Sequence, residues 1–406
     1  MAKLEIVNTS HSPEELAIIL SDYTTARLVK RTQLFGGYSG SNYLVELDDN
    51  DDESSTKFCV LKITNGYSTE HAELMCRTTN HLAKAGYKDA CFPIRKKMDK
   101  DKQSQQEQNK QQALEFVSTK EQMGEPAFLL TFVEGKQADQ VMREKPHLAT
   151  TVMKGIGGGL ARMHDAASGT NEAEAKKFGL RWYETDGGCC DVQDQINGNI
   201  LKKILDAKDS KWKATFLDFG GRTYQRELEA LRNEMKLAQD GKIEHGILHG
   251  DPFADNVLVN AGTGKLSAFI DIEDFCVGPL LFDLACCAIG CCFTEEQKEK
   301  DVCSGADERP LQVLDMSLLN ALLDGYGADR NLPKIEKEHF VAFMRLALLC
   351  NCSWRFVKFN GSDAPVDAPE EAKQSYLELQ ERIIHLHDPK VIQHINKLLD
   401  DDDNAL

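Results

Sequence analysis

The chain has 406 residues, of which 41% are hydrophobic, and carries a formal net charge of -17 at pH 7. This length exceeds what one hydrophobic core usually organises, so two lobes or domains are the first expectation. The acidic balance argues against general binding to nucleic acid or to anionic membranes, because such partners select basic surfaces. A solvated acidic surface is the simplest interpretation of the charge.

The N-terminus and the cysteine content predict the compartment. Residues 1–5 lack the basic stretch and apolar core of a signal peptide, and we expect no apolar run of the roughly 20 residues that a membrane span needs. The 13 cysteines are an odd number in a long chain, which favours reduced thiols over a disulfide framework. We therefore expect a cytoplasmic protein with no membrane partner.

A helix and a small sheet are predicted in the N-terminal part. Ser12 and Pro13 open a capped helix that ends near Tyr23. The strand-like runs 29–35, 42–47 and 58–63 follow, separated by a glycine-rich turn at 36–40 and an acidic loop at 48–55. A second helix is predicted over 70–85.

The composition then marks an insertion and a boundary. Lysine, glutamine, aspartate and glutamate dominate residues 99–112, which cannot bury enough apolar surface to become ordered, and we place a polar insertion at about 99–122. An apolar strand at 127–133 precedes a largely helical remainder. We predict an α+β protein with a small antiparallel-sheet N-lobe, residues 1–133, and a larger, mainly helical C-lobe, residues 134–406.

A cysteine-rich stretch lies within 284–293 of the C-lobe. Its spacing is not the two-residue gap of a zinc knuckle, and its apolar neighbours favour a buried helix in which cysteine acts as a small hydrophobe. A metal site is the less favoured alternative. The four residues are Cys286, Cys287, Cys291 and Cys292.

The strongest chemical signal is the segment from His249 to Asp271. It contains His-Gly-Asp ending at Asp251, then Asn256, a strand, a turn around Thr263 and a second strand that leads to Asp271. If the turn is symmetric about Thr263, Asn256 lies opposite Ile270 and therefore beside Asp271. The two aspartates and the asparagine then converge at one end of a hairpin.

This convergence predicts phosphoryl transfer. Magnesium prefers oxygen ligands and completes its octahedron with water and phosphate oxygens. The transfer also needs a carboxylate that orients the attacking hydroxyl and accepts its proton. We assign Asp251 as the base and Asn256 and Asp271 as Mg2+ ligands. Taken alone, each residue would be explained better as a cap or a turn residue.

The segment resembles the aminoglycoside phosphotransferase and choline kinase superfamily, whose signature is His-Gly-Asp, four residues, Asn, and a hairpin that ends in Ile-Asp. The resemblance extends to Gly-Pro and Asp-Leu-Ala within 278–285, and implies a two-lobed protein-kinase-like fold and ATP as the donor. It implies that Asp283 braces the catalytic loop through hydrogen bonds. Glu273 and Asp274 lie where an acidic residue sometimes assists a second metal, and Glu273 is also a candidate for the acceptor site. His164, in a matching helix, receives no chemical role.

The nucleotide side is predicted in two parts. Gly37, Ser39 and Gly40 lie in the glycine-rich turn, whose backbone amides could cover phosphates; an ordinary hairpin turn is the alternative. By resemblance, the backbone of Phe132 and Val133 would bind adenine.

Lys62 is a lone cation in an apolar strand. The resemblance implies that it pairs with the α- and β-phosphates and with a carboxylate on the following helix. We choose Glu73 for this carboxylate and keep Glu70 as the alternative. A solvent-facing lysine on an edge strand also fits the pattern.

The acceptor is predicted less directly. Residues 14–43 and the 278–285 element resemble the homoserine-kinase-type branch, whereas related branches act on choline, ethanolamine and other amino alcohols. A longer polar linker and the presence of Lys62 depart from the homoserine branch. In a helix predicted over 344–359, Arg355 could clamp a carboxylate and Trp354 could cover a cationic amine, and both could equally be packing or surface residues.

The leading hypothesis is therefore an ATP- and Mg2+-dependent kinase for a hydroxyl of an amino alcohol or hydroxy amino acid such as homoserine. A choline or ethanolamine kinase is the alternative within enzymes. A catalytically inactive nucleotide-binding scaffold is the alternative of another class, and the joint presence of Asp251, Asn256, Asp271 and Lys62 argues against it. A protein kinase is disfavoured because no Ala-Pro-Glu element follows Asp271. No nucleic-acid partner is expected, and the oligomeric state stays open.

Overall fold

The computed structural model describes residues 10–34, 40–48, 56–64, 66–97, 114–119, 124–168, 181–182, 195, 198–219, 221–240, 242–271, 274–296 and 311–401. They form two compact units, the first ending at Glu134 and the second beginning at Gly135. The first contains an antiparallel sheet and the second is mainly helical, so the predicted α+β class is confirmed.

The first unit contains a four-stranded antiparallel sheet and two helices. The strands follow the order β1-β2-β3-β4. The elements are α1 (Pro13–Leu20), β1 (Arg27–Leu34), β2 (Gly40–Asp48), β3 (Thr56–Thr64), α2 (Thr69–Lys84) and β4 (Ala127–Thr131). A capping box starts α1, in which the Ser12 hydroxyl accepts from Glu15 N and the Glu15 carboxylate accepts from Ser12 N.

The core of the first unit lies on both faces of this sheet. Tyr43, Val45 and Leu47 alternate along β2 and pack in one cluster with α1, because successive strand side chains point to opposite faces. A second cluster joins the apolar face of α2 to Phe116 and Val117, both almost fully buried. The polar insertion predicted over about 99–122 therefore extends too far, since 114–119 contributes to the core. Its polar part at 98–113 lies outside the described residues.

The second unit is built mainly of helices. They are α3 (Ala138–Glu144), α4 (Ala149–Ala166), α5 (Asn199–Leu205), α6 (Ser210–Leu217), α7 (Tyr224–Ala230), α8 (Arg232–Gln239), α9 (Leu280–Cys291), α10 (Met316–Asp329), α11 (Lys334–Asn360), α12 (Glu370–Gln374), α13 (Tyr376–His385) and α14 (Pro389–Asp401). Short 3-10 turns cover Pro146–Leu148 and Ala254–Asn256.

The described part of the second unit also contains ten short strands, some of which position the segment from His249 to Asp271. They are β5 (Lys136–Gln137), β6 (Arg181–Trp182), β7 (Asp218–Phe219), β8 (Arg222–Thr223), β9 (His245–Leu248), β10 (Val257–Val259), β11 (Leu266–Phe269), β12 (Cys276–Pro279), β13 (Phe293–Glu296) and β14 (Leu311–Leu314). They pair as β11-β10-β5, β6-β12-β9, β13-β14 and β7-β8. The His-Gly-Asp motif follows β9, and Asn256 precedes β10.

Glycines allow α4 and α10 to pack backbone against backbone. A Cβ on Gly157 would overlap the carbonyl oxygen of Leu322 and lie 2.8 Å from Tyr326 N. A Cβ on Gly325 would overlap the carbonyl oxygen of Lys154 in the same way. The two helices therefore approach more closely than alanine would permit.

The cysteine-rich stretch forms the buried helix α9, as predicted. Cys286 and Cys287 lie within it, and all ten described cysteines are buried. Burial raises the pKa of the Cys292 thiol, which favours its neutral, unreactive form.

One described helix, α11, is long and apolar enough to cross a membrane by length and composition, contrary to the sequence expectation. Most of its apolar window is buried inside the second unit. Phe340, Phe343 and Phe356 are fully buried there. In this structure α11 is a core helix.

Candidate active site

The hairpin of β10 and β11 has the predicted register. Val257 pairs with Phe269, and Ile270 N donates to the carbonyl oxygen of Asn256 at 2.9 Å. The register shifts between Leu258 and Val259, nearer the turn. Asn256 therefore lies opposite Ile270, one residue from Asp271.

Asp251 and Asn256 contact each other directly. Asn256 Nδ2 donates to the main-chain oxygen of Asp251 at 3.0 Å and to its Oδ2 at 2.8 Å. The short turn Ala254–Asn256 between them reverses the chain and makes this contact possible. Because the amide nitrogen is committed to Asp251, the amide oxygen of Asn256 faces away from this bond and can serve as a ligand.

Several carboxylates influence Asp251. Burial raises its pKa to about 8, repulsion from Asp274, Asp255 and Asp271 adds to the effect, and the Asn256 hydrogen bond opposes it. This surplus of negative charge fits a bound cation. Among the described residues no group of three or more His, Cys, Asp or Glu side chains is arranged as a metal site. An ion here would therefore need oxygen ligands from phosphate or water beside those that Asn256 and Asp271 could supply.

Asp271 has an unusual backbone. Its φ of 61° is the only positive value among the described non-glycine residues. Such a conformation is costly for a residue with a side chain and often marks a functional position, although aspartate tolerates it better than most. The chain thus turns sharply at Asp271, shortly after β11 ends.

Asp283, at the start of α9, braces the catalytic loop, as the resemblance implied. Its Oδ2 accepts from His249 N at 2.9 Å, and its Oδ1 accepts from Gly250 N at 3.1 Å. Gly250 has a φ of 87°, and a Cβ there would overlap the carbonyl oxygen of Asp274. The loop before Asp251 is held by both contacts.

A buried histidine extends this brace. His164 Nε2 lies 3.0 Å from Asp283 Oδ2, and its Nδ1 lies 2.7 Å from the hydroxyl of Tyr326. When the neutral ring donates through Nε2 to the carboxylate, its Nδ1 accepts from the tyrosine. His164 thus belongs to the support of the loop, and sequence reasoning had given it no role.

On the nucleotide side, Glu73 and Lys62 are both buried. The Glu73 carboxylate accepts from Arg77 Nε and from the backbone amides of residues 115, 116 and 117, at 2.8 to 3.1 Å. Burial raises the pKa of the Cys76 thiol, the negative charge of Glu73 raises it further, and the positive charge of Lys62 lowers it. Both charges therefore lie near this thiol. Glu70, the alternative, is exposed at the start of α2.

The other predicted nucleotide residues are less informative. Gly40 begins β2, where a Cβ would overlap the carbonyl oxygen of Ile63, which gives this glycine a packing reason. Phe132 is 39% exposed, with its ring 6.0 Å from that of Phe58. Val133 is half-buried. Gly37 and Ser39 lie outside the described residues, as does Glu273 of the acceptor candidates.

The two acceptor candidates on α11 differ. Trp354 is 52% exposed, and Lys358 Nζ lies 5.8 Å from its ring centroid. Arg355 is half-buried and binds the carboxylate of Glu378 and, at 3.1 Å, the carbonyl oxygen of Ser375. Sequence reasoning missed Glu378, for which only its spacing of four residues from Arg382 on α13 gave a signal.

Comparison with solved structures identifies the fold as protein-kinase-like. A microcompartment-associated aminopropanol kinase superposes with a TM-score of 0.58 at 14% identity, over 95% of this chain and 100% of that chain. A spectinomycin phosphotransferase superposes with a TM-score of 0.53 at 16% identity, over 96% and 98%.

The chain belongs to the phosphotransferase enzyme family, whose sequence profile matches residues 30–333. It is 25% identical over 349 residues to a homoserine kinase of Rhodopseudomonas palustris (strain BisB18). The alignment covers 84% of this chain and 83% of that protein. The chain is accordingly a phosphotransferase by family. Family membership implies ATP as the donor.

Proposed function

We propose that this chain transfers the γ-phosphate of ATP to a hydroxyl of a small amino alcohol or hydroxy amino acid, with homoserine as the first candidate. The observation that carries the proposal is the direct contact of Asp251 with Asn256, in a hairpin whose register brings Asn256 next to Asp271. The likeness to a homoserine kinase over 84% of the chain supports this acceptor.

Asp251 is the proposed base. The hydroxyl proton of the acceptor passes to its carboxylate, the hydroxyl oxygen bonds to the γ-phosphorus, and the bond from that phosphorus to the β–γ bridging oxygen breaks to leave ADP. A raised pKa suits this role, because a more basic carboxylate accepts a proton more readily. The hydrogen bond from Asn256 orients the carboxylate.

Asn256 and Asp271 are the proposed ligands of Mg2+. The ion, when bound, neutralises charge on the transferred phosphate. The carboxylate surplus around Asp251 supports this assignment. The committed amide nitrogen of Asn256 supports it as well, since the amide oxygen is then the atom left to bind.

Nucleotide-binding roles are proposed for the first unit. Lys62 would bind the α- and β-phosphates and pair with Glu73, which is supported by the burial of both side chains. Gly37, Ser39 and Gly40 would cover the phosphates, and the backbone of Phe132 and Val133 would bind adenine. Residues 1–133 would thus serve the nucleotide, and 134–406 the chemistry and the acceptor. A cytoplasmic location completes the proposal.

A phosphate-transfer screen with the full-length protein tests the function. The acceptors are homoserine, choline, ethanolamine, hydroxylysine, methylthioribose and an aminoglycoside, with Mg-ATP and product mass as the readout. We expect Asp251→Asn to lower kcat by roughly 10²- to 10⁴-fold while ATP binding is kept. Asp363→Asn, at an exposed carboxylate, is the matched control. A wild-type protein that transfers phosphate to no acceptor and binds no Mg-ATP would refute the proposal. One that binds ATP and transfers phosphate to no acceptor would be the nucleotide-binding scaffold.

A further inference from the structure

The support of the catalytic loop continues beyond His164 into α10. The hydroxyl of Tyr326 lies 2.7 Å from His164 Nδ1, and His164 Nε2 lies 3.0 Å from Asp283 Oδ2. Tyr326 is 1% exposed, and the other two residues are fully buried, so water does not compete for these contacts. The tyrosine is thus two hydrogen bonds away from the carboxylate that holds the backbone before Asp251.

The chemistry of the three groups gives these hydrogen bonds one direction. Asp283 already accepts from the main-chain N–H groups of residues 249 and 250, and an ionised carboxylate only accepts. His164 therefore donates to it through Nε2, and its Nδ1 accepts. Burial raises the pKa of the Tyr326 phenol, so the hydroxyl keeps its proton at neutral pH and can donate to that nitrogen.

Arg330, one turn after Tyr326, binds the segment that leads into β9. Its Nη2 donates to the carboxylate of Glu244, the residue before the strand, and its Nη1 donates to Asp165 Oδ1 at 2.7 Å. The Arg330 side chain is only 10% exposed. Its positive charge counteracts the effect of burial on the pKa of Tyr326, so the two side chains lie close together.

The strand β9 is therefore held at both ends from α10. Arg330 binds Glu244 at its start. Tyr326 acts at its end, through the ring of His164 and the carboxylate that holds the two following amides. Asp251 lies three residues beyond the last residue of the strand. A displacement of about 1 Å in a catalytic group can cost about 100-fold in rate, so the position of β9 matters to the reaction.

We propose that Tyr326 and Arg330 are positioning residues of the phosphate transfer, which keep β9 and the backbone before Asp251 in place for proton acceptance. This inference rests on the proposed function, because Asp251 is the base of that reaction. Both residues act through others, Tyr326 through His164 and Arg330 through Glu244. They lie on a helix well outside the 249–285 segment that carries the chemical signal.

Tyr326→Phe removes the hydroxyl with little change in volume. We expect kcat with the best acceptor to fall roughly 5- to 30-fold, while KM for ATP and for the acceptor stays within about twofold, because the binding groups remain. Tyr376→Phe is the matched control. Its hydroxyl is equally buried and donates to the main-chain oxygen of Trp212 at 3.2 Å. This control should lose comparable stability in urea and keep kcat within about twofold.

Two substitutions at Arg330 test the other end of the strand. Arg330→Gln should lower kcat by a similar factor with KM unchanged, because the ion pair with Glu244 is lost. Arg330→Lys keeps a charge that can reach one carboxylate and should lose less, and it serves if Arg330→Gln fails to fold. Arg162→Gln, which removes a surface ion pair with Asp329, is the control and should keep kcat within about twofold.

A double-mutant cycle with His164→Gln shows whether Tyr326 acts through the ring. A glutamine amide can donate to Asp283, but it offers no ring nitrogen to the tyrosine hydroxyl. Adding Tyr326→Phe to His164→Gln should therefore change kcat by less than about twofold, whereas independent effects would multiply. Nitrogen NMR of the wild-type ring gives a second measurement: we expect a neutral His164 with its proton on Nε2 between about pH 6 and 8.

Four results overturn the inference while the kinase proposal stands. They are equal kcat values for Tyr326→Phe and Tyr376→Phe, a loss that lies in KM alone, multiplying effects in the cycle, or a ring proton on Nδ1 of His164. A wild type that phosphorylates no acceptor in the screen removes the proposed function and the inference together.

Discussion

The sharpest structural prediction concerns Asp283, because the substitution to asparagine changes little more than one atom. The carboxylate accepts from His249 N and His164 Nε2 through Oδ2, and from Gly250 N through Oδ1. An asparagine has one acceptor oxygen and one NH2 group. The better orientation keeps two hydrogen bonds at the Oδ2 position and turns the NH2 group towards the N–H of Gly250.

The cost follows from the burial. His249, His164 and Asp283 are all 0% exposed, so water cannot replace a lost partner. A hydrogen bond to a charged group contributes about 1.5–3 kcal/mol, and a buried unsatisfied donor costs about 1–3 kcal/mol. We expect Asp283→Asn to lose about 2–4 kcal/mol, a large part of the roughly 5–15 kcal/mol that stabilises a typical domain. The backbone before Asp251 should shift, and kcat should fall at least about tenfold.

Urea unfolding and steady-state kinetics measure the two effects. The urea transition of the second unit gives the change in the free energy of unfolding, and turnover of the best acceptor gives kcat. Asp329→Asn is the matched control, because its carboxylate binds Arg162 at the surface. Wild-type values for both the urea midpoint and kcat in Asp283→Asn would refute the bracing role.

Two further predictions concern stability. Gly157→Ala forces a methyl group onto the backbone of the facing helix and should lower the free energy of unfolding in urea by about 1–3 kcal/mol. The control Gly158→Ala first meets side-chain atoms at 3.2 and 3.3 Å and should stay within about 1 kcal/mol of wild type. Equal losses in the two variants would contradict the close packing. Burial would raise the pKa of Glu227, but the hydrogen bond from His387 and the charge of Arg345 hold it below 4.5. A lowered folded-state pKa adds stability above pH 4.5 that is lost as the pH falls through the folded pKa, so the wild-type urea midpoint should fall more steeply below pH 4.5 than that of Glu227→Gln; parallel pH curves would count against this.

Local sequence predicted the elements of the first unit and the catalytic hairpin. The strand predicted over 42–47 lies inside β2, Gly40–Asp48, and the helix predicted over 70–85 matches α2, Thr69–Lys84, within one residue at each end. The hairpin register was predictable because a short turn fixes the pairing of the strands beside it. The irregularity between Leu258 and Val259 carries no comparable sequence signal.

Contacts between distant segments were not predictable. Glu73 was assigned to Lys62 on the pattern of a strand followed by a helix, and that pairing stays a prediction. Its carboxylate also binds three backbone amides of residues 115–117, which are 42 to 44 positions away and follow a polar run. The spacing of those residues gives no signal that their amides donate to the buried carboxylate of Glu73. The same holds for Glu378 and Arg355, which only the packing of α13 on α11 brings together.

There is a physical reason why the type of reaction is easier to predict from local sequence than the acceptor. Proton acceptance and metal binding need oxygen atoms within a few ångströms of each other. A single loop and hairpin, residues 249–271, can supply them, so the type of reaction was predictable from local sequence. Selection between acceptors needs charges placed on the far side of a small molecule, which the same loop cannot reach. The groups that select the acceptor must therefore come from other elements of the chain as well. A substitution at Asp251 should therefore lower transfer to every acceptor alike, by the roughly 10²- to 10⁴-fold expected for a lost base, because it removes a group that the reaction needs whatever the acceptor is.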